Sequence, residues 1–429
     1  MMRKIALICG GPSPERGISL NSARSVMDHL MDVVDVIPFY VDLDKNFYQL
    51  DPALLYSNTP SDFDFKLQTG SVILGKVRST ADRGPMSYIA DEMIVNGSSI
   101  AERLLQQAAM SFLAEDDETE ELITILKTCD LVFPVIHGSF GETGELQAFL
   151  EQHQIPFVGC GSRACRNMYY KDSASMVLKA GGFDTLPSIT TISGVIPSLT
   201  DLQEFFVQNN ITRAIVKPIA GGSSIGVHSV TSPQQAIDIV AQSTAPMIIE
   251  PFCEGREFTV IVLQSKENCP QAGFPDVTDS CATRLESVRT GTQEKELDPG
   301  SAPIKSNGLV RETRTPVALV PTEIQISYAD GAIFDYRRKY LPTNNTTWAC
   351  PPNFPDAVIQ KIRSDAEAIF HLFDMRDFAR LDGWVLDDGR IVFTDMNPIS
   401  GMEQNSFIFQ QMSRLGMTHQ EALLYVIAR

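Results

Sequence analysis

Short apolar runs alternate with amphipathic stretches from the start of the chain. Lys4 to Cys9 reads as a strand, about Leu20 to Leu30 as a helix and Val33 to Tyr40 as a second strand. That order predicts a parallel sheet flanked by helices. The pattern breaks from about Ser57 to Glu118, which is polar and rich in Gly, Pro, Ser and acids, and resumes at Leu131 to Ile136. A second α/β region runs from about Gly159 to Glu254, with strands expected at Ala214 to Lys217 and Met247 to Glu250. Another irregular stretch, about Ser265 to Arg314, follows it. Both irregular stretches read as insertions. The expected organisation has three parts: 1–160 with an insertion at about 57–118, 161–254, and 255–429 with an insertion at about 265–314.

The strongest local signal lies near the C-terminal end. Arg380 to Asn397 consists of two strand-like runs joined at Asp388-Gly389, a short-range hairpin signature. If Asp388 and Gly389 are the two central turn residues, counting outward sets Trp384 against Phe393, Asp382 against Asp395 and Arg380 against Asn397. Strand alternation then puts the last four on one face. Opposed Cβ atoms are only about 4.5 to 5.5 Å apart, so two carboxylates there repel unless a cation lies between them. Two carboxylates and an amide oxygen form an all-oxygen set suited to Mg²⁺, with phosphate oxygens completing the shell. Arg380 beside them can neutralise a transferring phosphoryl group or an oxyanion. The plainer alternative is an edge hairpin with solvated acids and Arg380 as their counter-ion.

Ala214 to Pro218 followed by Ala220-Gly221-Gly222-Ser223-Ser224-Ile225-Gly226 is a strand with a lysine near its end and then a glycine-rich loop. Glycines allow backbone N–H groups close to phosphate, although an ordinary hairpin turn has the same composition. Because Lys217 precedes the glycines, this is not a Walker loop. Met247 to Val260 reads as strand, hinge, strand, and such a hinge can offer backbone groups to an adenine edge. Lys171, at the head of a helical stretch, is by itself no more than a surface lysine.

Composition narrows the class further. A chain of 429 residues exceeds one ordinary core. A net charge of −18 opposes binding to nucleic acid or anionic membranes, which leaves small molecules as the expected partners. No apolar run is long enough for a signal peptide core or a bilayer crossing, so a cytoplasmic location is expected. The 8 cysteines are scattered, without zinc spacing, and read as reduced thiols.

Taken in order, these pieces resemble the D-alanine:D-alanine ligases of the ATP-grasp superfamily. The resemblance covers nearly the whole chain outside the two insertions. It includes Gly10 to Ser22 as a first substrate loop, His137-Gly138-Ser139-Phe140-Gly141-Glu142-Thr143-Gly144 as a His-Gly loop, and the segments around Lys171, Lys217 and Glu250. Phe334 to Tyr340 is similar to a mobile loop, and the Asp382 to Met402 region closes the set. The resemblance implies an α/β chain with a Rossmann-like N-terminal domain before a central and a C-terminal ATP-grasp subdomain. It implies ATP as co-substrate and two Mg²⁺ ions, with Mn²⁺ as an alternative, and it allows a homodimer.

By the same resemblance, Glu15 would bind the first amino acid's ammonium, and Ser223 with Tyr340 would link it to the closing loop. Lys171, Lys217 and Ser224 would contact ATP phosphates, Glu257 the ribose, and Glu250 with the Cys253 backbone the adenine. Asp382, Asp395 and Asn397 would hold the metals, and Arg380 with the Gly401 amide would hold the oxyanion. Lys339, Ser406 and the Phe407 backbone would take the second substrate's carboxylate, with His137 near the first substrate. The chain departs from the family pattern at Asp395, usually Glu, and Ser400, usually Pro. Pro251 and Phe407 also differ from common members. The leading expectation is a dipeptide ligase serving peptidoglycan synthesis. The alternatives are an ATP-grasp ligase of other specificity and an ATP-binding regulatory protein without ligase activity.

Overall fold

A computed structural model describes residues 2–57, 59–67, 74–77, 117–192, 195–265, 315–326 and 346–428. The chain divides into two compact units, Met1–Arg166 with Gly401–Glu403, and Asn167–Ser400 with Gln404–Arg429.

In the first unit, β1 (Lys4–Gly10) is central. It pairs in parallel with β2 (Asp35–Val41) on one side and, on the other, with β5 (Leu131–Pro134). Burial on both faces explains why β1 is an almost continuous apolar run rather than an alternating one. The sheet is extended antiparallel by β3 (Asn46–Gln49) and β4 (Gly75–Lys76), in the order β4-β3-β2-β1-β5. Helix α1 (Arg16–Leu30) returns the chain from β1 to β2, burying Leu20, Ala23, Val26, Met27 and Leu30 at helical spacing.

The polar stretch from residue 57 is partly built into this unit. Helices α2 (Pro52–Ser57) and α3 (Pro60–Leu67) precede β4. Phe63 stacks on Tyr40 with centroids 4.5 Å apart, and Asp64 pairs with Arg16 at 2.7 Å. Leu74 and Val77, on either side of β4, join the core around Phe47. Within the stretch expected as an insertion, about 57–118, the described residues 60–67 and 74–77 thus pack against or pair with this unit's sheet.

The second unit has two sheets. The smaller has the order β6-β9-β7-β8, from β6 (Ile189–Thr190), β7 (Ala214–Pro218), β8 (His228–Val230) and β9 (Met247–Pro251), all antiparallel. Helices Leu199–Gln208 and Pro233–Gln242 cover it through Leu202, Phe206, Ala236 and Val240. Their N-caps, Ser198 and Ser232, each accept a backbone N–H three residues on. The larger sheet contains β10 (Gly255–Gln264), β11 (Pro316–Ala318), β12 (Thr322–Ile326), β13 (Thr346–Ala349), β14 (Phe378–Leu386) and β15 (Ile391–Asn397), in the order β13-β12-β10-β14-β15 with β11 beside β10. Helix Asp356–Leu372 buries Ile362, Ala366, Ile369 and Phe370. Only residues 252–254 separate β9 from β10, so the hinge expected there links the two sheets.

Candidate active site

The β14–β15 hairpin pairs Asp382 with Asp395 and Arg380 with Asn397, as expected, but by a different path. Nearer the turn, Val385 faces Ile391, Trp384 faces Val392 and Gly383 faces Phe393, so the expected Trp384–Phe393 pair does not form. The turn is one residue longer than expected. Leu386 and Arg390 bracket Asp387-Asp388-Gly389, with Gly389 left-handed at φ +88°. This is the three-residue loop in which glycine closes a bulge. A second irregularity between Asp382 and Gly383 restores the offset by leaving Thr394 unpaired. Gly383 is required there, because a Cβ would strike the Val392 carbonyl and lie 2.7 Å from Phe258 Cζ.

The acids on this face are already compensated. Asp382 receives Arg380 Nη2 at 3.0 Å, Asn397 Nδ2 at 3.0 Å and the Thr259 hydroxyl at 2.6 Å. Asp395 lies 3.3 Å from Lys171 Nζ, which also donates to the Gly221 carbonyl of the glycine-rich loop at 2.7 Å. Lys171 thus physically joins that loop to the hairpin. Among the described residues, no three His, Cys, Asp or Glu side chains converge as a metal cage. The hairpin fits an all-oxygen ion of the Mg²⁺ kind differently: Asp382, Asp395 and the Asn397 amide would supply only part of a shell, which phosphate oxygens would complete.

In the loop after β7, Ser223 and Ser224 are both left-handed, at φ +53° and +57°. Residues other than glycine rarely adopt this conformation, and it concentrates at ligand-binding turns. Lys217, on β7, forms an ion pair with Glu250 on β9. Burial works against the Lys217 charge, but Glu250 and then Asp395 overcome it and raise the pKa above the ordinary lysine value. Lys217 therefore remains cationic. Burial and the Glu250 charge push the Cys253 thiol up to about 12, so it is no thiolate nucleophile. Glu257 lies on β10 opposite Trp384.

The first unit holds the other loops. Glu15 is the N-cap of α1 and is 7% exposed. Gly138, at φ +74°, touches it: a Cβ there would stand 2.7 Å from Glu15 Oε2. The Gly138 N–H donates to Glu142 Oε2 at 3.0 Å, and Glu142 Oε1 lies 3.7 Å from His137 Nδ1. His137 is 7% exposed and its Nε2 has no hydrogen-bond partner. Burial alone would lower its pKa, but Glu142, Glu403 and Glu15 raise it above the ordinary histidine value.

Ser406 is the N-cap of helix Phe407–Ser413 yet does not cap it; its buried hydroxyl has no partner. The Phe407 ring packs edge-on against Trp348, centroids 5.8 Å apart. Gly401 belongs to the first unit, and Ser400, at 1% exposed, to the second. Lys339 and Tyr340 lie outside the described residues. Two residues of interest were not singled out from sequence. Thr259 reads only as a strand former, and its contact with Asp382 depends on pairing between segments 123 residues apart. Glu403 reads as a polar loop residue.

Two sheets joined through a short hinge, with helix-borne Lys171 against Asp395 and the Asp395 charge also acting on Lys217 of the smaller sheet, define an ATP-grasp architecture. Solved structures agree on the fold. The VanG D-Ala:D-Ser ligase from Enterococcus faecalis superposes with a TM-score of 0.64 at 20% identity, covering 100% of this chain and 99% of that one. The D-alanine-D-alanine ligase from Coxiella burnetii superposes with 0.64 at 18% identity, covering 99% and 94%. Family models for the D-ala D-ala ligase N-terminus and C-terminus match residues 4–160, and 177–277 with 309–428. Among sequence relatives, the D-alanine–D-alanine ligase of Bifidobacterium longum is 26% identical over 444 residues, covering 99% of this chain and 90% of that protein. D-alanine–D-alanine ligase A of Brucella melitensis is 25% identical over 425 residues, covering 99% and 96%. The chain belongs to the D-Ala–D-Ala ligase family. It is accordingly an ADP-forming, ATP-dependent ligase that uses a divalent metal and small substrates.

Proposed function

We propose that this enzyme joins two molecules of D-alanine, through an acyl phosphate, into a dipeptide for peptidoglycan precursor synthesis. The observation that carries the reading is the cross-bonded face of Arg380, Asp382, Asp395 and Asn397, tied by Lys171 to the glycine-rich loop. Two Mg²⁺ ions held by Asp382, Asp395 and Asn397, with Mn²⁺ able to replace them, would neutralise the ATP phosphates. Lys171, Lys217 and the Ser224 segment hold those phosphates, while Glu250, the Cys253 backbone and Glu257 hold adenine and ribose.

Glu15 orients the first substrate by its ammonium, with Ser223 and Tyr340 linking it to the closing loop and His137 close by. The carboxylate of that substrate then attacks the γ-phosphorus. Lys339, Ser406 and the Phe407 backbone hold the second substrate's carboxylate. Arg380 and the Gly401 amide stabilise the oxyanion formed when its amine attacks. We further propose a cytoplasmic homodimer in which the two sheets of the second unit act as separate subdomains. Among the described residues no helix is long and apolar enough to cross a membrane.

Asp395 supports a second reading, a ligase for another amino-acid pair. Its carboxylate reaches one methylene less far than the family's usual glutamate. Phosphate release profiled over D-amino acids, L-amino acids and hydroxy acids separates the two. D-alanine alone driving turnover supports the first, and turnover only with another pair overturns it.

A further inference from the structure

The turn Gly401–Glu403 is firmly held. The Met402 N–H donates to the buried Ser22 hydroxyl at 3.1 Å, and the Met402 side chain is fully buried. From this anchor the Glu403 side chain folds back over Gly401, where any Cβ would collide with its Oε2. The carboxylate therefore lies against the α-carbon whose amide the reading above assigns to the oxyanion. Its other oxygen, Oε1, is buried and has no hydrogen-bond partner. His137 is not that partner, because its Nε2 is also without one and its Nδ1 faces Glu142. A buried carboxylate oxygen left this way favours an incoming cationic donor.

A fixed negative charge beside an oxyanion donor is a contradiction unless the charge disappears as the oxyanion forms. Accepting a proton at that moment removes it. The group that must shed a proton there is the amine that attacks the carbonyl. We propose that Glu403 is a catalytic residue of the ligation step, receiving the second amino acid's ammonium and taking from it the proton that blocks attack. This rests on the acyl-phosphate reading and on the Gly401 assignment within it.

In the balanced step, the ammonium gives one proton to the Glu403 carboxylate, and the freed lone pair forms the bond to the acyl carbon. The carbonyl electrons move to oxygen while Glu403 is neutral. As they return, the carbon–oxygen bond to phosphate breaks and its electron pair leaves with the phosphate. The nitrogen's second proton goes to that phosphate, giving the amide and hydrogen phosphate, and Glu403 releases its proton to solvent afterwards.

Hydroxylamine tests this, since it is largely unprotonated at neutral pH and needs no base to trap an acyl phosphate. Dipeptide and hydroxamate formation are measured with ATP, Mg²⁺ and D-alanine for the intact enzyme, Glu403→Gln and Glu403→Asp. The expected result is a dipeptide-to-hydroxamate ratio lower by about 10²-fold or more in Glu403→Gln, partly recovered in Glu403→Asp. An unchanged ratio, or loss of both products together, overturns the proposal. If the intact enzyme forms no hydroxamate from D-alanine, the substrate reading fails instead. The ratio is then taken with whichever amino acid does form one, and the same outcomes decide Glu403; if none does, both fall.

Discussion

The candidate-site acids of the second unit and those around His137 in the first stand in different electrostatic settings. Asp382, Asp395 and Glu250 face the Arg380 guanidinium and the Lys171 and Lys217 ammonium groups. In the first unit, Glu142, Glu403 and Glu15 all act on His137, a cation only when protonated. The contrast suits the chemistry proposed for each. Phosphates carry a fixed negative charge and need permanent cations, whereas amino-acid ammonium groups bring a positive charge of their own.

The largest effect should come from breaking a permanent pair at the hairpin. Arg380→Ala removes the proposed oxyanion cation and the partner of Asp382, and should lower kcat by about 10²- to 10³-fold, read as phosphate release. Next is Lys217→Met, which leaves the partly buried Glu250 without its cation. It should cost about 3 kcal/mol in denaturant unfolding and raise the KM for ATP.

A smaller, pH-dependent effect should mark the first unit. Because folding raises the His137 pKa, its contribution to stability is complete below the ordinary histidine value and is lost as pH climbs through the raised one. Between about pH 5 and 8, the intact protein should lose stability relative to His137→Gln, read as urea midpoints. A flat difference would show that the cation there is not conditional. The smallest effect should be Lys361→Ala, an exposed pair with Asp365 on helix Asp356–Leu372, at about 0.3 to 0.5 kcal/mol.

Much of the second unit could be read in advance because its chemistry follows strand alternation. Even there, Asp382 met Asp395 through two offsets that cancel, a turn closed by Gly389 and a bulge at Thr394. A bulge leaves no trace in apolar alternation, so only the net register was legible. The addition of β4 to the first sheet was not legible, since a two-residue strand has no period to detect. Thr259 and Glu403 escaped for a related reason: their partners lie far away in sequence or are imposed by a folded-back side chain.

The most direct test is a coupled measurement of ADP and D-alanyl-D-alanine from ATP, Mg²⁺ and D-alanine by the intact enzyme. One dipeptide for each ADP, abolished in Arg380→Ala, is the predicted result. ADP release without dipeptide, or no response to D-alanine while another amino acid drives turnover, would contradict the assignment of D-alanine to both sites.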